Sequence, residues 1–115
     1  MATGKYNITA NQGETFNFSF TISTDSVPWD LTGYTARMQV RTTVEATDKL
    51  LDLTTANSGI TLGGSAGTVA VSVSATDMSA LIAGRHVYDL EVVSGGGTVT
   101  RILEGKFSVK AEVTR

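Results

Sequence analysis

The side chain best suited to acid–base or nucleophilic chemistry in this 115-residue chain is its single histidine, His86. A serine nucleophile needs a base beside it, so a catalytic triad would have to be built around His86. This residue alternates with Tyr88, Leu90 and Val92, which places all four on one face of a strand. Since that face is apolar, the pattern predicts a partly buried or edge histidine with a structural role.

Asp89, Glu91 and Glu104 are the carboxylates that could act as a general acid and base, since a glycosidase needs only two. They alternate with apolar residues, which is typical of the solvated face of a strand. We expect them to form cross-strand ion pairs with arginines, each worth about 0.2–1 kcal/mol. The candidate arginines are Arg37, Arg41 and Arg101.

Motifs for metal and phosphate binding are incomplete. The chain has no cysteine, and neither the pair Asp25 and Asp30 nor the pair Asp48 and Asp52 has the glycine-bearing spacing of a calcium loop. The run Gly63–Gly67 lacks the Lys-Ser/Thr ending of a phosphate loop and leads into a strand. We therefore expect a protein that is not an enzyme and that binds no metal and no cofactor.

Three aromatic residues, Trp29, Tyr34 and Tyr88, could form a platform for a sugar ring. This makes a carbohydrate-binding module one alternative function. Each of the three also sits beside other apolar residues, which favours a role as a core or loop anchor.

The elements that must position these residues are strands. Period-2 alternation over residues 15–23, 34–42, 85–93 and 98–109 predicts the longest of them, with Phe18 as a core aromatic. The only plausible helix is a short turn over residues 76–82, capped by Thr76. Short strands and closely spaced turns predict one all-β domain over residues 1–115, an antiparallel β-sandwich of about seven to eight strands.

Composition excludes two classes of partner. The formal net charge is −2 and charged residues make up 17% of the chain, with acids and bases interspersed, so no basic surface for nucleic acid is visible. No apolar run approaches the roughly 20 residues of a membrane helix. Residues 1–9 lack the apolar centre of a secretory signal, so synthesis in the cytoplasm is expected.

Several segments resemble the N-terminal domain of tailed-phage baseplate upper proteins and related small virion proteins. They are Asn11–Phe16, Asp30–Arg41, the hairpin formed by Tyr88–Val92 and Gly97–Gly105, and the ending Val109–Arg115. The resemblance covers nearly the whole chain and implies an immunoglobulin-like sandwich without catalysis. Baseplate upper proteins usually continue into a long C-terminal part, whereas this chain stops at Arg115, so a capsid decoration protein or an adaptor stays an alternative.

The resemblance also implies a location and partners. We expect a virion protein, made in the host cytoplasm, that assembles in multiple copies with a tail fibre, baseplate or capsid protein. Exposed edge strands are the expected means of assembly, through main-chain hydrogen bonds to a neighbouring sheet. The candidate edge residues are Tyr6, Ile8, Val109 and Val113.

Overall fold

Strands dominate the computed structural model, which describes residues 4–114. They are β1 (Gly4–Lys5), β2 (Ile8–Asn11), β3 (Phe16–Thr21), β4 (Ser23–Thr24), β5 (Val27–Pro28), β6 (Thr35–Arg41), β7 (Leu51–Thr54), β8 (Ile60–Leu62), β9 (Thr68–Val73), β10 (Gly84–Val93) and β11 (Val99–Lys110). One helix, α1 (Ala75–Ser79), precedes β10, and a 3₁₀ turn over Gly64–Ala66 joins β8 to β9. Three of these eleven strands have only two residues, which leaves the eight longer strands that the sequence predicts.

The strands form two sheets with a small hairpin beside them. The larger sheet has the order β1-β11-β10-β6-β7, with β2 also paired to β11, and the smaller has the order β3-β9-β8. The hairpin pairs β4 with β5. Because β3, β9 and β8 lie in one sheet and β11, β10 and β6 in the other, the order is that of an immunoglobulin-like sandwich.

The strand pairing is antiparallel, as predicted, except at the N-terminus. Both β1 and β2 run parallel to β11, with Gly4 opposite Leu103 and Ile8 opposite Phe107. Parallel neighbouring strands need a long connection, and here nearly the whole domain lies in sequence between β2 and β11. The first strand therefore joins the larger sheet instead of forming a hairpin with β3.

Helix α1 is shorter than predicted and begins differently. The Ser74 side chain, rather than that of Thr76, caps it by accepting a hydrogen bond from the backbone N–H of Asp77 over 3.1 Å. Met78, which is fully buried, is the residue through which this helix contacts the core. The helix acts as a plug at one end of the sandwich.

The core lies between the two sheets and is built from the inward-facing residues of both. Its most buried aromatic residue is Phe107 of β11, which is fully inaccessible to solvent. Phe16, Phe18 and Phe20 of β3 are only partly buried and pack against this core. The prediction for Phe18 is therefore met only in part, because β3 is an edge strand and its rings are covered on one side.

Candidate functional site

A groove of about 610 Å³, lined by both polar and apolar residues, lies on the outer face of the larger sheet. It exists because β6, β10 and β11 alternate, so their polar residues all point away from the core. Its charged and amide side chains come from these strands and from the N-terminal segment. They are Lys5, Asn7, Gln39, Arg41, Asp89, Arg101, Glu104 and Lys106.

Two of the three arginines make the predicted cross-strand ion pairs. Arg37 Nε lies 2.8 Å from Glu91 Oε1. Arg101 joins two carboxylates, with its Nε 3.6 Å from Asp89 Oδ2 and its Nη1 3.5 Å from Glu104 Oε1. Since Asp89 and Glu104 are opposite each other on β10 and β11, this arginine offsets their repulsion.

Arg41, the third arginine, does not reach a carboxylate in the described structure. Its Nη1 donates to the carbonyl oxygen of Ala46 over 2.7 Å, and its Nη2 donates to Gln39 Oε1 over 2.8 Å. These bonds hold the loop after β6 against the sheet. Arg41 thus forms one wall of the groove.

Asp89 is the carboxyl group whose acidity is most affected by the groove. Partial burial raises the pKa of Asp89, the neighbouring charge of Glu91 raises it further, and Arg101 opposes both effects. Together with the guanidinium and amide groups around it, this carboxyl group can form hydrogen bonds with hydroxyl, amide or charged groups of a ligand.

His86 lies inside the sandwich and not in the groove. It is 5% exposed, and its Nε2 is 2.7 Å from the carbonyl oxygen of Ile82. Its Nδ1 is buried with no hydrogen-bond partner among residues 4–114. The contact with Ile82 ties the end of the α1 segment to the start of β10, which is a structural use of the ring.

The three candidate interaction residues do not form one platform. Tyr88 is 5% exposed, and its ring makes a T-shaped contact with Phe107 at a centroid distance of 6.3 Å. Trp29 is partly buried and donates its indole N–H to Thr24 Oγ1 over 2.8 Å. Tyr34 is likewise packed against the core. Inward alternation along β10 carries the Tyr88 ring into the core.

Tyr88 instead fixes the crossing, the place between β1 and β2 where residues 6 and 7 run beside β11 and the Tyr6 carbonyl group lies over Gly105. Its hydroxyl donates to the carbonyl oxygen of Tyr6 over 2.6 Å, and burial, followed by the nearby Tyr6, raises the pKa of Tyr88 to about 12. The backbone N–H of Tyr6 donates to the carbonyl oxygen of Glu104, and that of Lys106 to Asn7 Oδ1, each over 3.0 Å. Gly105 lies directly under this crossing.

Sequence reasoning missed Gly105, although a glycine within a strand pattern signals a close approach of another backbone. A Cβ at this position would overlap the carbonyl oxygen of Tyr6. The absence of a side chain therefore lets residues 6 and 7 lie on β11 and form one end of the groove.

The candidate edge residues are placed unequally. Tyr6 is 51% exposed and Val113 is 92% exposed, but both residues lie outside every strand. Ile8 is buried on β2, which is paired on one side only. Val109 is opposite Gly84 on one side and Ala10 on the other, so its assignment to a sheet edge is wrong. Parallel pairing of β2 covers the side of β11 that a hairpin-only sheet would leave open.

Residues 4–114 contain neither a metal-binding cluster nor a membrane-spanning helix. No group of three or more His, Asp or Glu side chains in that range is placed to hold a metal ion. Nor does that range contain a helix long and apolar enough to span a membrane.

Comparison with known proteins identifies the fold alone. No protein-family model and no curated protein sequence matches the chain. A solved structure from Bacteroides vulgatus, named a "putative glycoside hydrolase", is similar over 93% of this chain with a TM-score of 0.51 and 16% identity. This chain spans only 17% of the length of that protein. Since 182 chains of solved structures are similar in this way, the sandwich is a widespread fold that does not specify an activity.

Proposed function

We propose that this chain is a non-catalytic structural module of a tailed-phage particle, in the baseplate or fibre-attachment region of the tail. The observation that carries the proposal is the resemblance of residues 11–16, 30–41 and 88–105 to baseplate upper proteins. In the fold, these segments lead into β3, form β6 and make up most of the β10–β11 hairpin. The resemblance therefore concerns the strands on which the sandwich is built.

The contacts of the chemically capable side chains support a structural role. The His86 ring is bonded to the carbonyl oxygen of Ile82, and Asp89 and Glu104 lie against Arg101. In these contacts Arg101 joins β10 to β11 and offsets the repulsion between the two carboxyl groups, which is a structural use of all three side chains. The outer groove offers hydrogen-bonding groups suited to docking a neighbouring protein.

The test is localisation on intact particles from the source of the gene. An antibody raised against the purified domain and labelled with gold should mark the tail tip in electron micrographs. Label over the head would instead support a capsid decoration protein. Particles that carry no label, while the same antibody detects the free protein in the lysate, would refute a virion role.

A carbohydrate-binding module is the second candidate, because the similar Bacteroides protein is named for action on glycosides and because the groove can hydrogen-bond to hydroxyl groups. A glycan array would test it. Saturable binding that Gln39→Ala abolishes would assign the ligand to the groove, and loss with Trp29→Ala would assign it to the β4–β5 end. A matched variant outside both surfaces, Thr61→Ala, should bind as the unaltered protein does.

A further inference from the structure

The outer edge of β3 has no partner strand among residues 4–114. β3 pairs with β9 along its whole length but with no strand on its other side. No other backbone hydrogen bond joins Phe16–Thr21 to the described chain. In an antiparallel ladder, about half of the N–H and C=O groups of such a strand point away from its neighbour. These groups form an open row that a further strand can extend.

This edge also lacks the features with which proteins usually prevent edge pairing. Charged side chains, proline, a bulge or short length are the common ones. No residue from Thr15 to Thr24 is charged or a proline, and the register between β3 and β9 is unbroken. By contrast, the edge strand β7 has four residues and carries Asp52 in an ion pair with Lys49.

Aromatic rings run along the same edge. Phe16, Phe18 and Phe20 are each only partly buried. The ring of Tyr6, which is 51% exposed, stacks on Phe18 with 5.3 Å between centroids, and Phe18 and Phe20 are 5.6 Å apart. Apolar surface and open backbone groups therefore coincide on one side of the domain.

We propose that β3 pairs with β3 of a second copy of this chain, antiparallel and about a twofold axis. With Phe18 at the axis, Phe18 is opposite its own counterpart and Phe16 is opposite Phe20 of the second copy. Asn17 is then opposite Ser19 of the second copy on the outer face. Residues 16–20 have phenylalanine at both ends and in the middle, so this register places every ring opposite a ring of the second copy. An interface about a twofold axis requires this kind of self-complementarity.

Charge favours the antiparallel direction over the parallel one. The nearest charged residue at one end of the strand is Glu14, and at the other it is Asp25. In the antiparallel register Glu14 is opposite Ile22 of the second copy, three positions from its Asp25, whereas parallel pairing in register would put the two copies of Glu14 directly opposite each other. A net charge of −2 per copy opposes association only weakly.

The proposal deepens the assembly role proposed above, by naming a second copy as a partner, but its test needs no particle. Pairing of two six-residue strands buries less surface than the roughly 1,200–2,000 Å² buried in stable protein–protein interfaces. We therefore expect a concentration-dependent dimer with a dissociation constant on the order of 100 µM. Sedimentation velocity from about 10 µM to about 1 mM should show the mass rise from 12.1 kDa to twice that value.

Charge substitutions on the outer face test the register. Asn17 and Ser19 are exposed and their side chains point away from the core, so lysines are compatible with folding there. The double variant Asn17→Lys/Ser19→Lys places lysine opposite lysine across the axis and should weaken the dimer at least tenfold. Asn17→Glu/Ser19→Glu should do the same. An equimolar mixture of the two variants should restore dimers, because each lysine is then opposite a glutamate.

The matched control is Ala70→Lys/Ser72→Lys, which places the same charges with the same spacing on the same face of β9, one strand away from the edge. It should still dimerise. A protein that stays monomeric at the highest concentration would overturn the proposal, as would dimers that survive both charged pairs or a mixture that fails to associate. If the protein is monomeric in solution but the gold-labelled antibody still marks the particles, the dimer is refuted and the virion role is not. The failure of one proposal is therefore distinguishable from the failure of the other.

Discussion

Replacing Gly105 with alanine tests the strand crossing that closes the groove. The new methyl group would overlap the carbonyl oxygen of Tyr6 and lie 2.9 Å from its carbonyl carbon and 3.0 Å from Asn7 Oδ1. Backbone atoms cannot rotate away as a flexible side chain can, so residues 6 and 7 must move outward. Three hydrogen bonds depend on their position: Tyr6 N–H to Glu104 O, Tyr88 O–H to Tyr6 O, and Lys106 N–H to Asn7 Oδ1.

The size of the effect follows from two opposing contributions. Three hydrogen bonds at about 0.5–1.5 kcal/mol each represent about 1.5–4.5 kcal/mol of lost stability. In a site without steric conflict, glycine to alanine would stabilise the fold by about 0.4–1 kcal/mol, because it restricts the unfolded chain. The free energy of unfolding of Gly105→Ala should therefore fall by about 0.5–4 kcal/mol.

Urea denaturation followed by circular dichroism measures this difference. The control is Gly95→Ala, where the nearest atom to the new Cβ is an ordinary 3.7 Å away, and its stability should be unchanged or slightly raised. Tyr88→Phe alone should cost about 1 kcal/mol, and the double variant should lose less than the sum, since both changes affect one crossing. A Gly105→Ala protein as stable as the unaltered one would refute the crossing.

Three further predictions concern the core, the groove and the hairpin loop. Phe107→Ala should cost about 3–5 kcal/mol, since the ring is fully buried, and thermal melting should show much of the stability lost. The pKa of Asp89 is raised in the folded protein, so the folded state binds the carboxyl proton more tightly than the unfolded state does. The contribution of Asp89 to the free energy of unfolding therefore falls as pH rises from 3.8, the unfolded pKa, to the higher folded pKa. Asp89→Asn should accordingly gain stability relative to the unaltered protein between about pH 3 and about pH 7 in urea titrations, and a constant difference would contradict this. Gly67→Ala should destabilise the fold by about 1–3 kcal/mol, because Gly67 has a φ of 70° and its Cβ would lie 2.8 Å from the carbonyl oxygen of Ile22. It should also alter the fluorescence of Trp29, because the same Cβ would lie 3.0 Å from the Trp29 backbone.

Strand positions were predictable because alternation is a local property of the sequence. Residues 34–42, 85–93 and 98–109 correspond to Thr35–Arg41, Gly84–Val93 and Val99–Lys110. The inward face of each was also predictable, since the buried positions of β10 are those of the apolar period. Alternation shows which side chains face the core, but not which strand lies alongside. The parallel pairing of β1 and β2 with β11 therefore could not be predicted from the sequence pattern.

The candidate site likewise has a part that the sequence predicts and a part that it does not. Its ion pairs were predictable, because Arg37 and Glu91 face outward on strands that a sandwich brings together, and they are opposite each other on β6 and β10. The groove itself was not, because one end depends on residues 6 and 7 crossing β11 and another wall on the bond from Arg41 to Ala46. Both contacts are tertiary, and glycine at position 105 is a local sign of the first contact only.

The same choice of partner by the N-terminal segment shapes the two proposed surfaces. By pairing with β11, this segment closes one end of the groove and leaves β3 as an open edge. Had it instead formed a hairpin with β3, a strand of this chain would cover the edge at which we place the second copy. Tyr6 links the two surfaces, since its carbonyl oxygen accepts from Tyr88 while its ring stacks on Phe18. Displacing this residue with Gly105→Ala should therefore weaken the dimer as well as the fold, whereas Gly95→Ala should affect neither.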